Sequence, residues 1–435
     1  MKKTLLLGVG LMFLSYQAVA QGALEEAFLL PIEGEENLQE NIALTQEDLK
    51  KFHPYKAKSV HSKISKSKKR AKYQKDSDGS WAKEYQKAKQ RFQNNTGINY
   101  SLDVSLLGQR GSPNGKITPW QTQYYGSLNW DLFQSERFGS GSIQVAYTLI
   151  RYWNKNASIL GNNIGIATPL NDYTEKANYF DQLSYTQNFS GALKSFSVTL
   201  GQFPLYNFDG MEYNSNQQIN FLNEALSQNL TGVYPTAGLG GYITWAPSSL
   251  FSLSAGVQDA TNVSGNRITT KNLSDKKVTS FLSASYSPTN SLGELQLSLL
   301  LYHQPSVEEQ TGKAYGWSFN VQQNIGTKWA VFGRANGVSH ALTGFNQSYV
   351  LGGVYNNPFN RNMLDQIGVA YALNKVDKQA MQSNRNWENV LEGYYSFGIG
   401  STLIITPDIQ FYINPALNNK SHTATVASIR ATFMF

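Results

Sequence analysis

The stretch that decides the fold is the last one, TLIITPDIQFYINPALNNKSHTATVASIRATFMF, residues 402–435. Two segments in it, 402–412 and 425–435, alternate with a period of two, so that odd-numbered positions are mostly apolar and even-numbered positions mostly polar. Side chains of a strand point alternately to opposite faces, so each segment is predicted as a strand with one apolar side. A soluble half-buried sheet and a lipid-facing barrel both fit. The aromatic last residue, Phe435, favours the barrel.

The same two-residue period recurs through the rest of the chain, in segments near the 9 to 11 residues that a tilted membrane strand needs. There are 16 such segments: 98–106, 124–133, 142–153, 179–189, 195–203, 240–246, 250–258, 278–286, 294–302, 315–323, 328–336, 347–355, 366–374, 391–400, 402–412 and 425–435. The predicted fold is all-β, a transmembrane antiparallel β-barrel of 16 strands over residues 98–435. An 18-strand count is the alternative. Sixteen strands leave room for an aqueous lumen.

The start of the chain has the features of an export signal. Lys2 and Lys3 precede the apolar run Leu5–Leu14, and Ala18-Val19-Ala20 follows. Residues 1–20 are therefore predicted to be a signal peptide that is removed after export. Together with the predicted barrel, export places the protein in the outer membrane of a Gram-negative bacterium. The sequence has no Cys, which excludes disulfides and thiolate metal sites. With 15% charged residues and 13% aromatic ones, the composition suits a barrel that faces water inside and lipid outside.

The net charge of +7 belongs almost entirely to the region before the barrel. Residues 1–97 carry +6, and residues 98–435 carry only +1. Residues 21–79 form a charged segment with an acidic half and then a basic half, and we predict a disordered periplasmic tail. The basic half, 50–75, is either a solvated tail or a binder of anionic lipid or lipopolysaccharide; nucleic acid is not an expected partner of an exported protein.

Residues 80–97 interrupt the strand pattern with a helical one. Trp81, Tyr85, Ala88 and Phe92 recur at a spacing near 3.6, which predicts a short amphipathic N-terminal helix. Such a helix, placed just before the first strand, would pack against the periplasmic mouth of the barrel or lie as an ordinary surface helix.

The polar faces of the strands and the longest connection supply the candidate site residues. The connection from residue 204 to 239 interleaves aromatics, amides and acids, and it either folds into the lumen or is an exposed loop. Acids and bases that oppose one another in a pore would orient hydroxyl-rich solutes by hydrogen bonds. Alternatively, they pair across strands and stiffen the wall. The predicted pore-lining residues are Asp103, Asp131, Asp209, Glu212, Arg334, Glu392, Asp408, Gln410 and Arg430.

The chemistry available in the sequence does not indicate an enzyme. His303, His340 and His422 stand apart from one another, and no nucleophile motif of the G-x-S-x-G type precedes a predicted helix. We therefore predict no catalytic residue, no metal site and no cofactor.

Four stretches carry a family resemblance: NMLDQIGVAYALN (362–374), WENVLEGYYSFGI (387–399), ITPDIQFYINPAL (405–417) and SIRATFMF (428–435). They resemble the C-terminal half of the carbohydrate-selective porin family, the OprB type. GQFPLYNFDG (201–210) resembles the middle of that family more weakly. The helix region departs from it, since Gly79-Ser80-Trp81-Ala82-Lys83 stands where the family has Trp-Gly-Gly-x-Arg. The resemblance implies a 16-stranded outer-membrane porin that passes sugars or similar small solutes.

Two classes of function follow as expectations. The first is passive, gradient-driven diffusion of carbohydrates or other small hydrophilic solutes, with membrane lipid and lipopolysaccharide as surroundings and either a monomer or a homotrimer as the assembly. The second is an adhesin or surface interaction protein with a closed lumen. A general or anion-selective porin would need a basic lumen, and the charge of +1 over residues 98–435 gives that little support.

Overall fold

The computed structural model describes residues 80–260, 268, 274–308, 310–339, 343–418 and 420–435, with side chains from residue 84 onward. The predicted signal peptide, residues 1–20, and the predicted tail, residues 21–79, lie outside the described residues.

Sixteen strands form a closed barrel in the described part of the chain, so the predicted transmembrane antiparallel β-barrel is confirmed and the 18-strand alternative does not hold. Each strand pairs antiparallel with its sequence neighbours, and β1 pairs with β16 to close the sheet. The strands are β1 (Ile98–Ser112), β2 (Trp120–Ser135), β3 (Gly139–Tyr152), β4 (Ala177–Asn188), β5 (Phe196–Phe203), β6 (Gly238–Trp245), β7 (Phe251–Asp259), β8 (Val278–Tyr286), β9 (Leu295–Gln304), β10 (Ala314–Ile325), β11 (Trp329–Ser339), β12 (Phe345–Asn356), β13 (Gln366–Val376), β14 (Trp387–Ile399), β15 (Leu403–Ile413) and β16 (Thr423–Met434).

Several strands are longer than the sequence pattern indicates. β1 continues to Ser112 instead of ending near residue 106, and β14 begins at Trp387 instead of Leu391. The backbone ladder continues through these extra residues, because pairing needs only N–H and C=O groups. In β1 the extension contains Gly108 and Gly111, which interrupt the apolar alternation without interrupting the ladder.

The alternation of the last strand places apolar side chains outside and polar ones inside. Ile429 and Phe433 are 50% and 43% exposed on the outer face, whereas Arg430 and Thr432 are 1% and 0% exposed on the inner face. A closed barrel suits a bilayer because it satisfies every strand N–H and C=O internally and leaves no open edge.

Outward-facing aromatic side chains lie near both ends of the barrel, as interfacial girdles do. Trp329 stacks on Tyr355 of the next strand with ring centroids 4.3 Å apart. Exposed members near one end are Trp130, Trp245, Tyr286, Trp329 and Phe433, and those near the other are Trp120, Tyr315, Tyr349, Trp387 and Phe411.

The connections differ in length at the two ends. Three-residue turns, such as 326–328 and 400–402, join strands at the end where β1 begins. The opposite end carries the long connections 153–176 and 204–237. In outer-membrane barrels the short turns face the periplasm and the long loops face the exterior.

In the described part of the chain, helix α1 (Ser80–Thr96) precedes β1 in sequence, and α2 (Ala157–Ile164), α3 (Glu224–Ser227) and α4 (Lys378–Met381) lie in connections between strands, with 3-10 turns at Gly191–Leu193 and Leu205–Phe208. The predicted N-terminal helix is confirmed as α1. Gly97 joins it to β1 with φ +71°, and a Cβ there would lie 2.6 Å from the Asp131 carbonyl oxygen, so glycine is required. Within the described ranges, none of these helices has the length and apolarity to cross a membrane.

Candidate functional site

The seven predicted pore-lining residues on strands all lie on the inward face of the barrel. Their strands are β1 for Asp103, β2 for Asp131, β11 for Arg334, β14 for Glu392, β15 for Asp408 and Gln410, and β16 for Arg430. The outward neighbours of Arg430 and Asp408 are Ile429 and Ile409, which are 50% and 42% exposed. The strand register brings Glu392 opposite Gln410, and Asp408 opposite Ser428.

The connection 204–237, which we call the inner loop, folds into the barrel. Its Gln218 side chain donates to the Ser105 hydroxyl of β1 at 3.3 Å, and its Asn214 side chain donates to Asn320 of β10 at 3.4 Å. β1 and β10 lie far apart around the barrel, so the inner loop crosses the lumen. Of the two alternatives that the sequence left open, the inward fold is therefore the one observed.

Arg430 and Thr432 hold the middle of the inner loop from β16. The Arg430 guanidinium donates to the carbonyl oxygen of Asn220 at 2.8 Å and to that of Gln217. The Thr432 hydroxyl donates to the Gln218 carbonyl at 2.6 Å. Arg430 thus bonds to loop backbone, and a positive charge suits carbonyl oxygens that would otherwise be buried without donors.

Glu392 holds the adjacent part of the inner loop from β14. Its carboxylate accepts the backbone N–H of Leu222 at 2.5 Å and that of Asn223 at 2.9 Å. These two N–H groups come just before α3, where a helix has backbone donors without helical partners. The Asn223 side chain caps α3 by accepting from Ala225 N at 3.1 Å.

Arg334 holds both flanks of the inner loop from β11. Its guanidinium donates to the carbonyl oxygens of Asn214 and Gln228, and its Nε donates to the Asn320 side chain at 2.9 Å. One planar side chain therefore joins two loop segments that are 14 residues apart in sequence.

Asp209 fixes the beginning of the inner loop. Its carboxylate accepts from the Ser318 hydroxyl at 2.6 Å, the Asn320 amide at 3.0 Å, the Asn229 amide at 2.8 Å and the Tyr234 hydroxyl at 3.1 Å. Two of these donors belong to β10 and two to the loop itself. A carboxylate with four donors is well satisfied.

The remaining predicted site residues have less direct roles in the loop. The Glu212 carbonyl accepts from Asn220 at 2.7 Å, and the Asp103 carbonyl accepts from Gln218 at 3.4 Å. The Asp131 carboxylate accepts from the Asn129 side chain at 3.0 Å, near the start of β1. Gln410 donates to the Leu170 carbonyl at 3.0 Å. Contact of any of these nine residues with a solute stays a prediction.

A second long connection, 153–176, lies against the inner loop. Glu388 of β14 accepts the backbone N–H groups of Ala167 at 2.9 Å, Thr168 at 2.5 Å and Ala416 at 2.6 Å. This one carboxylate therefore joins loop 153–176 to the connection between β15 and β16. Glu388 was not among the predicted site residues. It lies on the same inward face of β14 as Glu392, four residues earlier in the strand.

The two long connections also touch each other directly. Asp172 accepts from the Ser227 hydroxyl and from the Gln228 side chain at 3.3 Å, and its own N–H donates to Gln217 at 2.8 Å. Desolvation raises the pKa of Asp172 to about 7, and the hydrogen bonds from Ser227 and Gln228 oppose that rise. Desolvation and the nearby Asp172 raise the pKa of Glu224 to about 8. The loop contact thus holds two acids that titrate near neutral pH.

Aromatic packing supports the base of the inner loop. Phe208 lies 4.8 Å from Phe281 of β8 and 5.1 Å from Tyr242 of β6, measured between ring centroids. Tyr234 lies 4.9 Å from Tyr302 of β9 in an edge-to-face contact. Such contacts add about 0.5–1.5 kcal/mol per pair beyond area burial. These aromatics of the inner loop therefore pack the loop against the barrel wall.

A neutral wall of hydroxyl side chains runs along β4 to β8 on the inward face. Hydroxyls pair across strands between Thr186 and Thr199 at 2.8 Å, between Thr244 and Ser254 at 2.8 Å, and between Ser252 and Ser285 at 2.6 Å. We call these six residues the hydroxyl wall. Over the described ranges, no group of three or more His, Asp or Glu side chains is placed to hold a metal ion.

Comparison with known proteins places this arrangement in a family. The family model described as carbohydrate-selective porin, OprB family, matches residues 282–435. Porin AaxA of Chlamydia abortus is 37% identical over 348 residues, which cover 78% of this chain and 77% of the relative. Porin AaxA of Chlamydia trachomatis serovar D is 37% identical over 366 residues, covering 79% of each chain.

A solved structure agrees with the fold. OprB of Pseudomonas putida, in its high-pH structure, superposes with a TM-score of 0.66 over 79% of this chain and 96% of that chain, at 16% sequence identity. Such a barrel resides in the outer membrane of Gram-negative bacteria. From the closed 16-strand barrel, the matched C-terminal region and relatives at 37% identity, we conclude that this chain belongs to the OprB family of porins.

Proposed function

We propose that the chain is a passive pore through which carbohydrates and similar small hydrophilic solutes cross the outer membrane down their gradients. The observation that carries the proposal is the inner loop inside the closed barrel. Backbone bonds to Arg334, Glu392 and Arg430 fix this loop in position. A fixed loop across a lumen sets the width of a pore and the groups that a solute meets.

The chemistry opposite the anchored loop favours uncharged, hydroxyl-rich solutes. The two inward arginines donate to loop carbonyls, and amide side chains and the hydroxyl wall, whose members are buried except for half-buried Thr186, contribute neutral polar groups to the inward lining around them. Hydroxyl and amide groups both donate and accept hydrogen bonds, as the hydroxyls of a sugar do, and they carry no charge. The description of the matched family model, carbohydrate-selective porin, supports the same solute class.

Entry of solutes into liposomes containing the purified protein tests this proposal. We expect mono- and disaccharides to enter faster than amino acids of similar size. Equal entry of all solutes would leave a general porin, and no entry through a folded barrel would favour the surface-binding alternative.

A variant pair tests the hydroxyl wall. Thr244→Val with Ser254→Ala removes one hydroxyl pair while nearly preserving volume. We expect sugar entry to fall by about fivefold, the effect of a passing sugar losing one net hydrogen bond of ~1 kcal/mol to this pair. The matched control is Ser101→Ala with Ser127→Ala, a hydroxyl pair on β1 and β2. Equal losses in both variants would contradict a role of the hydroxyl wall in selection.

A further inference from the structure

Helix α1 lies against the outside of the barrel. The Phe92 and Tyr100 rings meet edge to face with centroids 5.9 Å apart, and the Lys89 ammonium is 4.6 Å from the centroid of the Tyr100 ring. Tyr100 faces outward, because the next residue, Ser101, bonds to Ser127 on the inward face. The described contacts of α1 therefore place it beside β1 and not across the mouth of the barrel.

The depth of α1 is set by the aromatic residues around its contact. Tyr100 is the third residue of β1, at the short-turn end of the barrel. Trp130 of β2 pairs with Ile98 and is 42% exposed on the outer face. Outward Tyr and Trp near a strand end mark the level of lipid headgroups. Helix α1 thus lies at headgroup depth.

Helix α1 carries a net positive charge. Residues 80–96 contain four basic residues and one acid, Glu84. Lys87 and Arg91 are exposed and lie one turn apart, on the side of α1 away from Tyr85 and Phe92. Lys87 and Glu84 are 3.3 Å apart, but an exposed pair of this kind contributes little.

An amphipathic helix with an aromatic face against the barrel and a basic face beside headgroups is attracted to anionic lipid. We propose that α1 binds the headgroups of anionic phospholipids in the leaflet at the short-turn end, with Lys87 and Arg91 contacting the phosphates. Lys and Arg side chains are long enough to reach the headgroup layer from a helix that lies at its edge. This binding requires the barrel to span a bilayer and is independent of which solute passes.

Hydrogen exchange of the full-length protein in nanodiscs tests the binding. Exchange of residues 84–96 is compared between discs of phosphatidylcholine alone and discs that also contain phosphatidylglycerol. We expect slower exchange with phosphatidylglycerol, by about fivefold for each basic residue engaged, and a smaller difference at high salt. Lys87→Gln with Arg91→Gln should abolish the difference.

Matched controls separate local contact from general charge. Lys116→Gln with Lys313→Gln removes the same charge from exposed residues at the long-loop end and should keep the lipid effect. Tyr100→Ala should speed the exchange of α1 in both lipids, because it removes the docking ring. Residues 50–75 are unchanged in every sample. Equal exchange in the two lipids, or a lipid effect that persists without Lys87 and Arg91, would overturn the proposal.

Discussion

Replacing Glu392 with Gln should loosen one defined part of the inner loop. The carboxylate accepts two backbone N–H groups, those of Leu222 and Asn223. A glutamine of the same shape keeps one oxygen but presents an NH₂ group to the other N–H. One buried backbone donor then faces a donor and loses its partner.

The size of the effect follows from the bonds that change. A hydrogen bond to a charged group contributes about 1.5–3 kcal/mol, and a buried unsatisfied donor costs a further ~1–3 kcal/mol. The local opening free energy at Leu222 and Asn223 should therefore fall by roughly 3 kcal/mol, which corresponds to exchange faster by a factor on the order of 100. The loop should stay inside the barrel, because Arg430, Arg334 and Asp209 still hold it.

Hydrogen exchange read by mass spectrometry measures this change at residues 221–223. Glu388→Gln is the matched control, because Glu388 is on the same strand and face but accepts from Ala167, Thr168 and Ala416. It should speed exchange at those three residues and leave 221–223 unchanged. The reasoning is refuted if a folded Glu392→Gln barrel shows no faster exchange at 221–223, or if the two variants speed the same residues.

Three further predictions concern charge, pH and backbone strain. Because acidic residues outnumber Arg334 and Arg430 on the inward face, the pore should prefer K⁺ to Cl⁻, and a reversal potential of the opposite sign in a KCl gradient would contradict this. The raised pKa values of Asp172 and Glu224 mean that their protonated forms stabilise the contact between the two loops. The contact should be most stable below pH ~4 and lose stability as the pH rises through 7 and 8, which pH-corrected hydrogen exchange at 224–228 would show as faster exchange. Asp172→Asn should reduce that pH dependence. Gly97→Ala should cost about 1–2 kcal/mol from the left-handed backbone alone and speed exchange in α1, whereas Gly326→Ala, with φ +58° and open space around the added Cβ, should not affect α1.

The barrel could be predicted from the sequence because every strand has to place apolar side chains toward lipid and polar ones toward the lumen. Successive side chains point alternately to lipid and to the lumen, so the two-residue period appears directly in the residue types, as in Ile429-Arg430-Ala431. The strand ends were less predictable. The ladder runs on through glycines such as Gly108, where hydrogen bonding continues although the side-chain pattern stops.

The partners of the inward charges could not be predicted in the same way. Arg334, Glu392 and Arg430, which the sequence predicts to line the pore, lie on the inward face, and their described partners are mainly backbone N–H and C=O groups. Backbone groups are the same at every residue, so they leave no signature in the sequence. Glu388 was missed for a related reason, since its three donors come from two connections that meet only when the barrel has closed.

The use of wall charges as loop anchors changes where solute selectivity should be sought. Under the proposed function, replacing Arg430 would act mainly by moving residues 217–220, because this buried guanidinium donates to the carbonyl oxygens of Gln217 and Asn220. The strands then act as the frame that holds the inner loop in position. We therefore infer that solute preference in this barrel changes more through substitutions within residues 204–237 than through substitutions of the inward arginines, because the former alter the surface of the constriction and the latter alter its position.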